Sequence, residues 1–154
     1  MAARAALCVA GAALSLYALH VEREHARDPA YRARCDLAQA VSCTRVFASR
    51  WGRGLGLVEP LLGRDSAANV PNGAVGVVFY LLQGLLGAVP GRGAAAVLLG
   101  TSVTSAVASL WLAAVLAFIL HDLCLVCIST YGLNLLLLRL NWRRWRQLQR
   151  PKTA

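Results

Sequence analysis

The stretch from Ala94 to Leu140, AAAVLLGTSVTSAVASLWLAAVLAFILHDLCLVCISTYGLNLLLLRL, decides the fold. It is apolar for far longer than the roughly 20 residues one membrane helix needs, and its interior charge sits at His121-Asp122. The stretch therefore reads as a hairpin of two membrane helices that turns at His121-Asp122, one over about 94–120 and one over about 123–138. On the first of these, Gly100, Thr104 and Ala108 recur at every fourth position, a small-residue face that lets helices approach closely.

Working towards the N-terminus, a further apolar segment spans about 73–89 and ends at the turn Pro90-Gly91-Arg92-Gly93. The run over 5–21 is a first span or a secretory signal peptide. It lacks a small-x-small site where Tyr17-Ala18-Leu19-His20-Val21 meets Glu22-Arg23-Glu24, so an uncleaved helix is expected. Composition agrees: 58% of residues are hydrophobic, more than a soluble domain of 154 residues uses for its core. The expected fold is an all-α integral membrane protein, a four-transmembrane-helix bundle forming one domain over 1–154. The loop over 22–72, with its eight Arg, six acidic residues and two cysteines, folds over the membrane surface as a cap. Within it, Leu57, Val58, Leu61 and Leu62 suit a short segment dipping into the interface. Trp51-Gly52-Arg53-Gly54-Leu55-Gly56 is Gly-rich, but no Gly-Lys-Ser/Thr follows, which excludes a phosphate-cradling loop.

Sixteen Lys and Arg against seven Asp and Glu give a net charge of +9. Four spans put both termini on one side, together with Arg4, Arg92 and the basic tail over 139–154, and the positive-inside rule makes that side cytosolic. The opposite loop also carries Arg, so the cysteines decide the orientation: a paired thiol site needs the lumenal or extracellular side to become oxidised. Asn141-Trp142-Arg143-Arg144-Trp145-Arg146 interleaves aromatics and cations as nucleic-acid binders do. Directly after a span it reads instead as an interfacial anchor on anionic lipid. The terminal Arg150-Pro151-Lys152-Thr153-Ala154 is similar to dibasic retrieval signals of endoplasmic reticulum membrane proteins.

The chemistry is concentrated in Asp122-Leu123-Cys124-Leu125-Val126-Cys127. Asp122 is expected to cap the last helix, with Cys124 in its first turn, where unpaired amides and the helix dipole favour a thiolate. A spacing of three sets both sulfurs on one helix face, and Tyr131 and Asn134 extend the same polar stripe. A static bridge within one turn closes too short a loop to stabilise much. A zinc site would need two closely spaced pairs, which Cys35 and Cys43 do not complete. A redox-active pair is the stronger reading. On one continuous helix Cys35 and Cys43 would be roughly 12 Å apart, so either the chain bends between them, with Ser42 capping a short helix near Cys43, or each takes another partner. A relay by thiolate attack on disulfides would link that pair to Cys124. Cys8 reads as a packed apolar residue, and His20, His25 and His121 as interfacial.

Taken together, Leu14-Ser15-Leu16-Tyr17-Ala18-Leu19-His20-Val21, Ser42-Cys43-Thr44-Arg45-Val46-Phe47 running into Ser49-Arg50-Trp51-Gly52-Arg53-Gly54, and Cys124-Leu125-Val126-Cys127-Ile128-Ser129-Thr130-Tyr131 resemble the vitamin K epoxide reductase family. The resemblance covers nearly the whole chain, and Ser42 to Phe47 set it closer to the epoxide reductase branch than to the vertebrate paralogue. It implies a four-helix bundle in the endoplasmic reticulum membrane with a lumenal cap and lumenal active-site cysteines. It further implies reduction of vitamin K epoxide to the quinone and on to the hydroquinone, with vitamin K as substrate and no tightly bound cofactor or metal. By motif, Cys127 would be the nucleophile, Cys124 its resolving partner, and Cys43 and Cys35 the shuttle from a lumenal thioredoxin-like donor. Asn72 and Tyr131 would hydrogen-bond the ring carbonyls and Phe47 would stack on the ring. The resemblance also implies inhibition by coumarin anticoagulants such as warfarin, a link to blood coagulation, and functional coupling to the gamma-glutamyl carboxylase. Two positions depart from the family pattern: Gly73 stands where bulkier or hydroxylated residues are frequent, and Val75 where Phe is common. Two other readings use the same residues, namely a quinone-linked disulfide generator running the electrons in reverse and a non-enzymatic four-span scaffold with structural disulfides.

Overall fold

A computed structural model of the chain describes residues 2–32, 36, 42–49, 51, 53, 56–63 and 69–150, apart from the side chains at 47, 48 and 59. Its elements are α1 (Ala2–Arg27), α2 (Cys43–Ala48), α3 (Val58–Leu62), α4 (Asn72–Gly87), α5 (Arg92–Val115) and α6 (Leu125–Gln149). Among the described residues there is no strand, and an isolated antiparallel bridge between Arg53 and Pro71 ties the connecting loop to the start of α4. Helices α1, α5 and α6 are long and apolar enough to cross a membrane, and α4 is a shorter apolar helix of 16 residues. Their outward faces are greasy, with Leu85 71%, Leu110 67% and Phe118 77% exposed, a surface that lipid covers better than water.

Two helix ends differ from the expected spans for local reasons. Helix α1 continues past Val21 to Arg27 because nothing in Glu22–Ala26 breaks a helix; it stops before Asp28-Pro29, where the proline ring disfavours helical backbone in the preceding residue. Helix α6 does not end near 138 but runs to Gln149, so the expected basic tail begins as bundle. Asn141, 1% exposed, donates to Gln83 Oε1 at 2.8 Å and to Ser102 Oγ at 2.6 Å, and accepts from Arg4 at 2.9 Å. The amide thus joins α6 to α4, α5 and α1, the kind of interhelical contact that apolar surroundings make selective. Arg144 on the next turn donates to the carbonyls of Gly87 and Val89, closing the C-terminal end of α4.

Helix α4 packs chiefly on α1, and α5 on α6. Glycine makes the first contact possible: a Cβ at Gly73 would lie 2.9 Å from the Ser15 carbonyl oxygen, and one at Gly11 would overlap the Tyr80 ring. The Gly73 departure therefore lets two backbones meet. Gly11→Val should lower thermal stability in detergent by about 1–3 kcal/mol, because Tyr80 is 2% exposed and cannot step aside without losing its buried hydrogen bond. A differential unfolding scan checks this, and an unchanged midpoint would contradict the seam. The small-residue face expected from Gly100, Thr104 and Ala108 is not the helix contact. Gly100 has open space beside it, and the buried face of α5 is Ala95, Leu98, Ser102, Ala106 and Ser109.

After α5 the backbone makes a π-helical turn, Leu116–Leu120, and His121 adopts a left-handed conformation, φ 53°. This places the helix break where the charge pattern expects it. Asp122, however, does not cap α6. Its carboxylate pairs with Arg45 of α2 at 3.0 Å, and the capping position is taken by Cys124, whose sulfur accepts the Cys127 N–H at 3.3 Å.

Candidate active site

The short helix α2 is set against this turn by polar contacts. Ser42 caps it as expected, its hydroxyl oxygen accepting the Arg45 N–H at 3.2 Å, while the Asp36 carboxylate accepts from the Thr44 N–H at 3.1 Å and from the Thr44 hydroxyl at 2.7 Å. The Ser42 N–H donates to the Leu123 carbonyl at 3.1 Å, and the Arg45–Asp122 pair clamps the same junction. The result is that Cys43, fully buried and disulfide-bonded, has its sulfur 3.5 Å from the sulfur of Cys124, which is also fully buried and free. Cys127 is free and half-buried, its thiol against both the Cys124 sulfur and the Tyr131 hydroxyl. Three sulfurs are thereby in succession across the α2–α6 junction.

Beyond Cys127 opens a cavity of about 610 Å³, within the range that takes a small apolar ligand. Cys127 and Tyr131 form part of its wall, and Asn72 and Gly73 of α4 another part. Val46 of α2, Trp51 and Val58 of α3 also line it. Asn72 donates to the Trp51 carbonyl at 2.8 Å, so the cap residue and the start of α4 are held together at the cavity edge. Val75, where the family pattern has a larger ring, lines the cavity and is 54% exposed.

Of the residues expected from sequence, Cys127, Tyr131 and Asn72 meet in one cavity, with Cys124 and Cys43 behind Cys127. Cys35 lies outside the described residues, as does the side chain of Phe47, whose backbone belongs to α2. Sequence reading missed Trp51, which rings against Trp111 at a centroid distance of 6.1 Å, and Tyr80. The Tyr80 hydroxyl donates to Asn134 Oδ1 at 2.5 Å, and Asn134 in turn donates to Ser109 Oγ at 2.8 Å. The available signal was Asn134, an amide in an apolar stretch of helix whose partner had to come from another helix. Among the described residues no group of three or more His, Cys, Asp or Glu converges as metal ligands would.

Helices and site together define an all-helical, multi-pass membrane protein that presents a free cysteine, Cys127, to an apolar cavity. Residues 2–142 match the sequence model of the vitamin K epoxide reductase family, and the chain belongs to that family. Over 141 residues it is 53% identical to vitamin K epoxide reductase complex subunit 1 of Mus musculus, covering 92% of this chain and 88% of that protein. The protein of the same name from Rattus norvegicus is 52% identical over the same length, with the same coverage.

Proposed function

We propose that this protein is a vitamin K epoxide reductase, an oxidoreductase that reduces the 2,3-epoxide to the quinone and the quinone to the hydroquinone. The observation that carries the reading is the Cys127 thiol beside the Tyr131 hydroxyl on an apolar cavity wall, with Cys124 next to it and Cys43 3.5 Å further on. A naphthoquinone bearing an isoprenoid chain dissolves in the bilayer, so its reductase needs sulfur at membrane depth and an apolar chamber.

In the proposed reaction the Cys127 thiolate attacks an epoxide carbon, forming a carbon–sulfur bond and breaking the carbon–oxygen bond. Tyr131 and Asn72, directed at the ring carbonyls, stabilise the negative charge spread over the ring. Cys124 then attacks the Cys127 sulfur. The carbon–sulfur bond breaks, the former epoxide oxygen leaves as water, and quinone and a Cys124–Cys127 disulfide remain. Two thiols are oxidised to one disulfide for each epoxide reduced. A second dithiol cycle takes quinone to hydroquinone. For re-reduction, a Cys43 thiolate attacks Cys124 and frees Cys127, and Cys35 resolves the Cys43–Cys124 bridge, the pair being reduced in turn by a lumenal thioredoxin-like protein.

The same proposal sets four spans in the endoplasmic reticulum membrane, both termini cytosolic, with the α2–α3 segment as a lumenal cap. Helix α4 is the short one, about 24 Å at 1.5 Å per residue, a few ångströms less than that bilayer's hydrocarbon core. Coumarin anticoagulants would occupy the quinone cavity, and the hydroquinone would supply the gamma-glutamyl carboxylase. The test is turnover of vitamin K epoxide by the purified protein in detergent with dithiothreitol, followed by chromatography of the products. Quinone should form and cease after thiol alkylation; an alkylated protein that still turns over would remove the thiols from the chemistry.

A further inference from the structure

The far end of the bundle holds a second, differently built pocket of about 290 Å³, lined by Ala3, Arg4, Leu140, Arg143, Arg144 and Gln147. Along α6, Arg143 is 16 residues beyond Cys127, about 24 Å at 1.5 Å per residue, so this pocket lies near the opposite face of the membrane. Three guanidinium groups share it, and those of Arg4 and Arg144 repel one another. None of the described acidic residues is at this end: they fall between Glu22 and Glu59 or at Asp122, on the cysteine side.

Among the described residues, internal contacts leave the pocket's charge unanswered. Arg4 donates through one amino group to Asn141, and its stem crosses Gly87 where a Cβ would intrude. Its Nε is buried with no hydrogen-bond partner. Arg144 is used on the carbonyls of Gly87 and Val89, which neutralise nothing. Arg143 makes no ion pair or hydrogen bond among the described residues. A buried, unpaired guanidinium N–H is costly, and clustered arginines matched to a tetrahedral oxyanion are the usual remedy.

We propose that Arg4, Arg143 and Arg144, with Gln147, form a phosphate-binding pocket whose occupant is the headgroup phosphate of an anionic phospholipid. A lipid suits it better than free phosphate because Leu140 and Ala3 share the wall, and Trp142, next in sequence to Arg143, is 52% exposed as an interfacial ring would be. A zwitterionic choline headgroup carries its own cation into the arginines and is disfavoured.

The test uses the full-length protein stripped of lipid in neutral detergent. Phosphatidylinositol, phosphatidylcholine and inorganic phosphate are added separately, and bound molecules are counted by native mass spectrometry alongside thermal midpoints. Phosphatidylinositol should raise the midpoint by a few degrees and persist as a single retained lipid, while the other two do neither. Arg143→Gln, which breaks no ion pair or hydrogen bond among the described residues, should keep the lipid-free midpoint and weaken lipid binding about tenfold. Equal effects of phosphatidylcholine, or wild-type lipid retention by Arg143→Gln, would overturn the site. Stabilisation by inorganic phosphate with no lipid preference would overturn the headgroup assignment.

Discussion

Cys127→Ala should abolish reduction of vitamin K epoxide, by at least about three orders of magnitude, whether dithiothreitol or a protein dithiol supplies the electrons. Among the described residues no second thiol stands ready to replace it. Cys124 and Cys43 are fully buried behind it, and Cys8 packs against Tyr80 and Leu137 in a separate cluster. The substitution removes one half-buried sulfur and should cost little stability, so an unfolding midpoint near that of the wild type separates lost chemistry from lost fold. Retained turnover would move the nucleophile elsewhere. Cys124→Ala gives the complementary result: the attack still occurs but cannot be resolved, so the protein should gain the mass of one vitamin K epoxide molecule.

The second large effect divides the electron donors. Cys43→Ala should leave the dithiothreitol-driven reaction within about twofold of wild type while reducing the reaction driven by a lumenal thioredoxin-like protein to background. A small dithiol can enter the cavity and attack the Cys127 sulfur directly, because Cys127 lines it. A protein cannot, and must pass electrons through the sulfur that lies 3.5 Å from Cys124. Parallel assays with the two donors read the ratio. If both fall together, Cys43 serves the fold rather than the relay; if neither falls, the protein donor reaches Cys124–Cys127 by another path.

What could be read without coordinates was whatever one segment decides alone. His121-Asp122 marked the helix break because charge inside so long an apolar run must leave it, and Ser42 marked the start of α2 because capping is local. The misread features each depend on a distant partner. Asp122 was expected to cap α6, but Arg45 claims it across the fold, and sulfur, a weaker acceptor, fills the vacancy. Two small-residue stripes run along α5, and periodicity cannot choose between Gly100-Thr104-Ala108 and Ser102-Ala106-Ser109. The choice is made by Asn141 and Asn134 on α6, which need Ser102 and Ser109 opposite them. The aromatic-basic tail looked separate for the same reason: that Asn141 is the centre of a buried cluster depends on Arg4 and Gln83, far away in the chain.

The sulfur of Cys124 holds the first turn of α6 by accepting the Cys127 amide. A thiolate is a better acceptor than a disulfide sulfur, so in the proposed cycle each turnover exchanges a helix cap for a covalent bond at the same atom. Electron supply and helix order are therefore linked quantities. In that proposed cycle, reduction restores the amide cap at the start of α6 and oxidation removes it. On the proposed reading, the molecule is organised for substrate when it is charged with electrons, and the first turn of α6 carries the mark of its redox state.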